Sequence, residues 1–372
     1  MKKVGILGGG QLGRMLLQSA ANYPVITYVM ESKDDCPSAH LCHHFTQGDI
    51  RHADDVYNFG KDLDIVTIEI ESVSVEGLKR LQEHGVKIYP KPETLEIIRD
   101  KAVQKKFYSS NDIPTSPYVI TNSRDDVKNN ESMFPAVHKS AQGGYDGRGV
   151  QVLEDISQLN LAFEGKAVLE KKIDIKKEIS IIIGVDNQDK TVIFPPSEMI
   201  FDPILNLLEY QLSPANLVEE VLWKVEAVGL SVVRNLNSPG IFAVEMLIDQ
   251  QDNVFVNETA PRVHNSGHDT IEGNFSSQFD MLWRIMLGLP LGNTKKIMNS
   301  ALINLIGQDN NPINEDSSAL KEILKIENAF LHLYGKKECR PGRKMGHVTI
   351  LDADRIGLVH VANKIRHIWE GK

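Results

Sequence analysis

The chain has 372 residues, a net charge of −9, 41% hydrophobic and 24% charged residues. That length suits two or three domains, the composition is that of a soluble globular protein, and the acidic balance gives no basic face for nucleic acid. No apolar run approaches the ~20 residues of a membrane span, residues 1–7 carry no secretion signal, and Cys36, Cys42 and Cys339 make no disulfide framework, so a cytoplasmic protein is expected.

The first hundred residues alternate strand and helix. Residues 4–7 read as a strand, 12–21 as a helix and 25–30 as a strand. A polar connection follows, then a strand over 65–70, a helix near 75–83 and a strand over 86–89. This alternation predicts a parallel, doubly wound sheet. The segment 36–44 holds two thiols spaced too widely for a zinc pair and reads as a connection. Between the first strand and helix lies Gly8-Gly-Gly-Gln-Leu-Gly13, a G-x-G-x-x-G pattern, with Glu31 ending the second strand. Taken alone, that spacing is the dinucleotide fingerprint of an NAD-dependent oxidoreductase.

Residues 91–111 read as one helix, broken by the prolines at 114 and 117, and short strands with a small helix follow through 171. Within them Lys139-Ser-Ala-Gln-Gly-Gly-Tyr-Asp-Gly-Arg-Gly149 places four glycines in the seven residues from Gly143 to Gly149. The backbone N–H groups of such a loop can close around phosphate oxygens. Lys139 would add a compact positive charge beside them. The order of residues is not that of a P-loop. The stretch 168–173 followed by Glu178 reads either as a hinge strand, whose backbone meets an adenine edge while Glu178 accepts from ribose hydroxyls, or as an ordinary edge strand.

A strand over 178–185 and a long helix over 215–236 lead to a β-hairpin with apolar arms at 242–248 and 254–258 around a polar turn at 249–253. If the turn centres between Gln251 and Asp252, Glu245 and Glu258 face each other. Like charges so placed are destabilising. A divalent cation would convert the repulsion into a binding site, and a carboxylate pair sharing a hard cation with phosphates suits magnesium. The loop after it, Thr259-Ala-Pro-Arg-Val-His-Asn-Ser-Gly-His268, is dense in groups that bind anions and move protons.

A helix over 278–287, strands over 301–305, 329–334 and 347–351, and a helical tail past 363 complete the chain. The run Lys336-Lys-Glu-Cys-Arg-Pro-Gly-Arg-Lys-Met-Gly-His347 is its densest basic stretch. Its Pro-Gly turn gathers Lys336, Arg340, Arg343 and Lys344 either as a phosphate clamp or as a solvated loop.

Three blocks together carry a resemblance: Lys139 with its glycine loop, Asn257 to His268, and Arg340 to His347. They resemble the ATP-grasp enzymes, and among them the 5-(carboxyamino)imidazole ribonucleotide synthetases of purine biosynthesis. The resemblance runs from Gly8 to His347. It implies α/β and α+β architecture: an ATP-grasp fold with a Rossmann-like N-terminal domain (1–100), a small lid (101–175), a large antiparallel domain (176–300) and a C-terminal part completing it (301–372). It reassigns the first glycine loop to the ribonucleotide substrate.

By the same resemblance, ATP would meet Lys101, Lys139, Gly144, Tyr145, Asp146, Gly147, Arg148, Gly149, Glu170, Lys171, Lys172, Ile173, Glu178, Asn257 and Glu258. Glu245 and Glu258 would hold one or two Mg2+ ions. Aminoimidazole ribonucleotide would be bound by Gly10, Gln11, Leu12, Glu71, Arg262, His264, Asn265 and Ser266, with its 5′-phosphate clamped by Lys336 and Arg343. Catalysis would fall to Asp146, Tyr145, His264 and Arg262, with bicarbonate as co-substrate. The implied partners are small molecules, a second copy in a homodimer, and the mutase that takes the product. The chain departs from the family pattern at His138, Val150 and Phe201, and has Lys101 where Arg is frequent. A sister ligase acting on another ribonucleotide is the alternative.

Overall fold

The computed structural model describes residues 1–143, 149–201, 208–307 and 317–371. Strands β1 (Lys2–Leu7), β2 (Val25–Glu31), β3 (His44–Gln47), β4 (Ile65–Ile68) and β5 (Lys87–Tyr89) form a parallel sheet in the order β3-β2-β1-β4-β5. The order reverses between β1 and β4, and ligands of such sheets bind at that switch, outside the strand ends. Strand β3 and a helix over Ala53–Gly60 occupy the stretch expected to be a polar connection. Three of the four residues of β3 are charged or polar, which hid its strand character.

The helix expected over 91–111 is two helices, Pro92–Ile98 and Lys101–Ser110. The Asp100 carboxylate breaks the run by capping the second, accepting from the N–H groups of Ala102 and Val103 at 2.9 and 3.1 Å. Strands β6 (Tyr118–Thr121), β7 (Ala136–Ser140), β8 (Val150–Leu153) and β9 (Ala167–Lys171) then make a small antiparallel sheet in the order β6-β9-β7-β8. His138 is fully buried in it, joins Thr121 Oγ1 at 2.9 Å, and burial lowers its pKa to about 4. The imidazole therefore serves this small core as a neutral hydrogen-bonding plug.

The third sheet comprises β10 (Ile175–Val185), β11 (Thr191–Ile193), β12 (Ser197–Phe201), β13 (Leu208–Ser213), β14 (Gly240–Asp249), β15 (Val254–Ala260), β16 (Asn299–Ile306), β17 (Ala329–Leu333) and β18 (Lys344–Asp352). Its order among the described residues is β15-β14-β10-β12-β13-β16-β18-β17, with β11 beside β10. The helix Glu219–Leu236 covers β10, β14 and β15 on one face, starting four residues later than expected at 215. The helix Arg355–Glu370 covers β16 and β18, so the helical tail begins earlier than 363. The helix Gln278–Leu287 packs on Gln11–Ala20, and the Trp283 indole N–H donates to Leu16 O at 2.8 Å. One buried cluster thereby joins the parallel sheet to the large one. No helix is long and apolar enough to cross a membrane among the described residues.

Candidate active site

Alternation sorts β14 and β15 into two faces. Val244, Met246, Ile248, Val254 and Val256 are buried against the helix Glu219–Leu236, while Glu245 and Glu258 face the other way. The Asp249 carboxylate ties the turn by accepting from Asn253 N at 2.8 Å, and Asp252 takes a left-handed φ of 61°. Pairs Ile248↔Val254, Leu247↔Phe255 and Met246↔Val256 centre the hairpin on Gln251, one half-step from the expected position. That register alone would set Asn257 against Glu245. A bulge inserts Asn257 as an extra residue and restores the expected pair, Glu245↔Glu258. Bulges re-aim side chains, and this one sends both Asn257 and Glu258 to the same lysine-lined cleft.

Three lysines converge there. Lys101 Nζ lies 2.6 Å from Glu258 Oε2. Lys139 Nζ donates to Asn257 Oδ1 at 2.8 Å and stands 3.1 Å from Glu170 Oε1. Lys105, a residue the sequence reading passed over, contacts the other Glu170 oxygen at 3.0 Å and donates to Thr115 Oγ1 at 2.6 Å. Its signal was its place one helical turn from Lys101, on the same face. The Glu170 carboxylate thus holds lysines. Lys171 and Lys172 give their N–H groups to Pro117 O and Pro135 O at 2.8 and 2.9 Å, and Ile173 follows them.

The charges are arranged to be used. Lys101 chiefly holds Glu258 well below the usual carboxylate range, whereas burial and then the Glu258 charge push Glu245 up. Burial also raises Glu178, one strand over, to about 7 against the opposing charge of Lys139. Burial lowers Lys105 to about 8 despite Glu170. Among the described residues no three His, Cys, Asp or Glu side chains converge as a closed metal cage. Two opposed carboxylates that leave other positions to water and phosphate oxygens suit magnesium, and the unequal ionisation of Glu245 and Glu258 marks the repulsion that a cation would relieve.

The loop after β15 is anchored from below. Gln278, fully buried, accepts from His264 N at 2.8 Å and donates to His264 O at 2.7 Å, pairing with that residue as a strand would. Ser266 Oγ meets His264 Nδ1 at 2.9 Å and Ser180 Oγ at 2.6 Å, and Gln211 Nε2 donates to Ser266 O at 2.6 Å. His264 Nδ1 lies 3.9 Å from Glu245 Oε1, so the loop and the carboxylate pair form one site. Beneath, the buried rings of His268 and His347 sit 4.9 Å apart, and burial keeps both pKa values low.

Arg262 reaches across to the parallel sheet. Its Nε and Nη2 grip Glu71 at 2.8 and 3.1 Å just past β4, at the switch of strand order. The first glycine loop lies beside this pair, with the Gly10 N–H donating to Glu69 Oε1 at 2.7 Å. Gln11 and Leu12 open the helix that follows it. In the basic run, Lys336 donates to Lys344 O at 2.7 Å and lies over the Tyr334 ring, and Arg343 donates to Glu338 O at 2.8 Å. Asn265 stands in the short turn 265–267. Gly149 closes onto Ser140, accepting its N–H at 2.9 Å. Gly144, Tyr145, Asp146, Gly147 and Arg148 lie outside the described residues.

Comparison with known proteins follows these three regions. Residues 1–99 match the ribonucleotide synthetase preATP-grasp domain, 106–279 the ATP-grasp domain, and 300–358 the phosphoribosylaminoimidazole carboxylase C-terminal domain. The chain is 32% identical to the N5-carboxyaminoimidazole ribonucleotide synthase of Staphylococcus epidermidis over 94% of its own length and 92% of the relative's. It is 34% identical to a bifunctional purine synthesis protein of Dictyostelium discoideum, of which it spans only 36%. The crystal structure of N5-carboxyaminoimidazole synthase from Aspergillus clavatus, in complex with ADP and 5-aminoimidazole ribonucleotide, superposes with a TM-score of 0.91 at 28% identity, covering 100% of this chain and 99% of that one.

Proposed function

The chain belongs to the N5-carboxyaminoimidazole ribonucleotide synthase family of ATP-grasp ligases, and from that premise we infer that it carboxylates 5-aminoimidazole ribonucleotide at the expense of ATP, in purine biosynthesis. The observation that carries the reading is the bulged hairpin. It sets Glu245, Asn257 and Glu258 against Lys101 and Lys139, within reach of the loop that presents His264.

In the mechanism we propose, Lys101 and Lys139 offset negative charge on the phosphates of ATP, where catalysis is mostly positioning and electrostatics. Glu245 and Glu258 would hold magnesium, which when bound supplies further charge neutralisation at the phosphates. A bicarbonate oxygen attacks the γ-phosphorus, the bond to the β-phosphate oxygen breaks, and carboxyphosphate and ADP result. The exocyclic amine of the ribonucleotide then takes the carboxyl carbon as phosphate leaves. Asp146 accepts the amine proton, while Tyr145 and the glycines from Gly144 to Gly149 close over the labile intermediate and exclude water. Glu178 accepts from the ATP ribose. Arg262, His264, Asn265 and Ser266, with Gln11, Leu12 and Glu71 across the crevice, hold the ribonucleotide, and Lys336 and Arg343 clamp its 5′-phosphate.

The reading extends to a cytoplasmic homodimer that passes its product to the mutase that uses it. The Dictyostelium relative, a bifunctional purine synthesis protein, supports such a hand-off by joining functions in one chain. Bicarbonate labelled with 18O tests the chemistry. Ribonucleotide-dependent appearance of one labelled oxygen in the released phosphate is expected. Unlabelled phosphate would rule out carboxyphosphate.

A further inference from the structure

The first glycine loop has every feature of a phosphate seat: it follows β1, opens the ten-residue helix Gln11–Ala20, and lies at the switch of strand order. Helix N-termini of this kind attract anions through their unpaired N–H groups and dipole. Here the seat is already filled by a side chain. Glu69, 9% exposed, accepts from Gly10 N at 2.7 Å through Oε1 and from Gly13 N at 2.8 Å through Oε2.

The glycines fit that occupant. A Cβ on Gly8 would lie 2.4 Å from Glu69 Cγ, one on Gly10 would lie 2.5 Å from Oε1, and Gly8 has a φ of 102°. Glu31, the acid that would hold a ribose in a dinucleotide fold, instead accepts from Gly9 N at 3.1 Å. On balance the Glu69 pKa is raised, by burial first and with the Glu31 charge adding to it, and the Gly13 and Gly10 N–H groups and the Arg262 charge offset only part of that rise. Both of its oxygens receive N–H donors, the arrangement that favours a carboxylate. Two residues on, Glu71 grips Arg262, so Glu69 also anchors the segment that aims that arginine.

We propose that Glu69 is a built-in anion: a positioning residue that occupies the phosphate seat of the first glycine loop and dictates which end of the ribonucleotide the loop receives. A phosphate is repelled there. The loop meets the uncharged ribose and imidazole, and the 5′-phosphate is directed to Lys336 and Arg343. This rests on the substrate and the phosphate clamp assigned above and adds the residue that keeps the phosphate off the first loop.

Glu69→Ala and Glu69→Gln test it, each assayed with and without formate, against chloride at equal ionic strength. Emptying the seat leaves two N–H donors unpaired, so Glu69→Ala should raise KM for the ribonucleotide about tenfold or more with KM for ATP little changed. Saturating formate should refill the seat, lower that KM again and raise the Tm of Glu69→Ala, without effect on wild type. A KM unchanged in Glu69→Ala, or raised but indifferent to formate, overturns the proposal. Should Glu69→Ala not fold, Glu69→Gln decides. Its amide turns a donor toward the Gly13 or Gly10 N–H, so a similar selective rise in KM supports the built-in anion and wild-type kinetics overturn it. The Tm response to formate needs no substrate. It therefore separates failure of this proposal from failure of the substrate assignment, which would show as wild-type ATP turnover indifferent to the ribonucleotide.

Discussion

Two loops of this chain are rich in glycine and meet opposite charges. The first, Gly8 to Gly13, ends on its own carboxylate, Glu69, with Glu31 turned onto the same backbone. The second is approached by β7 and left by β8, and the side chains around its base include Lys101, Lys105 and Lys139, ion-paired with Glu258 and Glu170. Glycines report that a backbone must come close to something. The sign of the charge waiting beside them says what that something is. In this account a carboxylate in the seat would close the first loop to phosphate, and three ammonium groups would open the second to it.

Altering the charges beside the second loop should do the most damage. Glu258→Gln takes one carboxylate from the cation pair, and its kcat for ADP release should fall about a thousandfold, the scale of losing several kcal/mol of charge stabilisation. Added magnesium should restore little of it. Lys139→Ala should cost about a hundredfold in kcat/KM for ATP, the usual loss on deleting one preorganised donor. A variant as active as wild type would remove the lysines from the account of the second loop.

Arg343→Ala examines the other half of the contrast. KM for the ribonucleotide should rise about tenfold while that for ATP stays put. An equal rise in both would remove the clamp and send the search for the 5′-phosphate back to the first loop, where Glu69 ought to repel it.

The smallest effect concerns Glu178. Its folded pKa of about 7 lies above the ordinary glutamate value, chiefly through burial. The folded state therefore binds a proton that the unfolded state has released, and stability falls as pH rises from about 4.5 to about 7. Urea unfolding of wild type and Glu178→Gln across that window should show wild type losing on the order of 1–2 kcal/mol relative to the variant. Parallel curves would mean that Glu178 does not sense the buried environment of the cleft.

The sequence made the cleft legible where charge interrupted an apolar strand, as at Glu245 and Glu258. It misjudged the register, because a hairpin centred on Gln251 meets the same pair only through the bulge at Asn257. Lys105 was readable from its helical spacing to Lys101. Glu69 and Gln278 were not, because their partners are distant along the chain: Gly13 lies 56 residues from Glu69, and His264 lies 14 from Gln278. The split at Asp100 had a visible signal, an N-cap residue inside a helical run. The polar strand β3 had none, since it pairs at the sheet edge with little apolar burial.

The most direct measurement is ADP release with ATP, magnesium and bicarbonate, with and without 5-aminoimidazole ribonucleotide. The account predicts release strongly stimulated by the ribonucleotide in wild type and about a thousandfold slower in Glu258→Gln. Hydrolysis of ATP that ignores the ribonucleotide would contradict it.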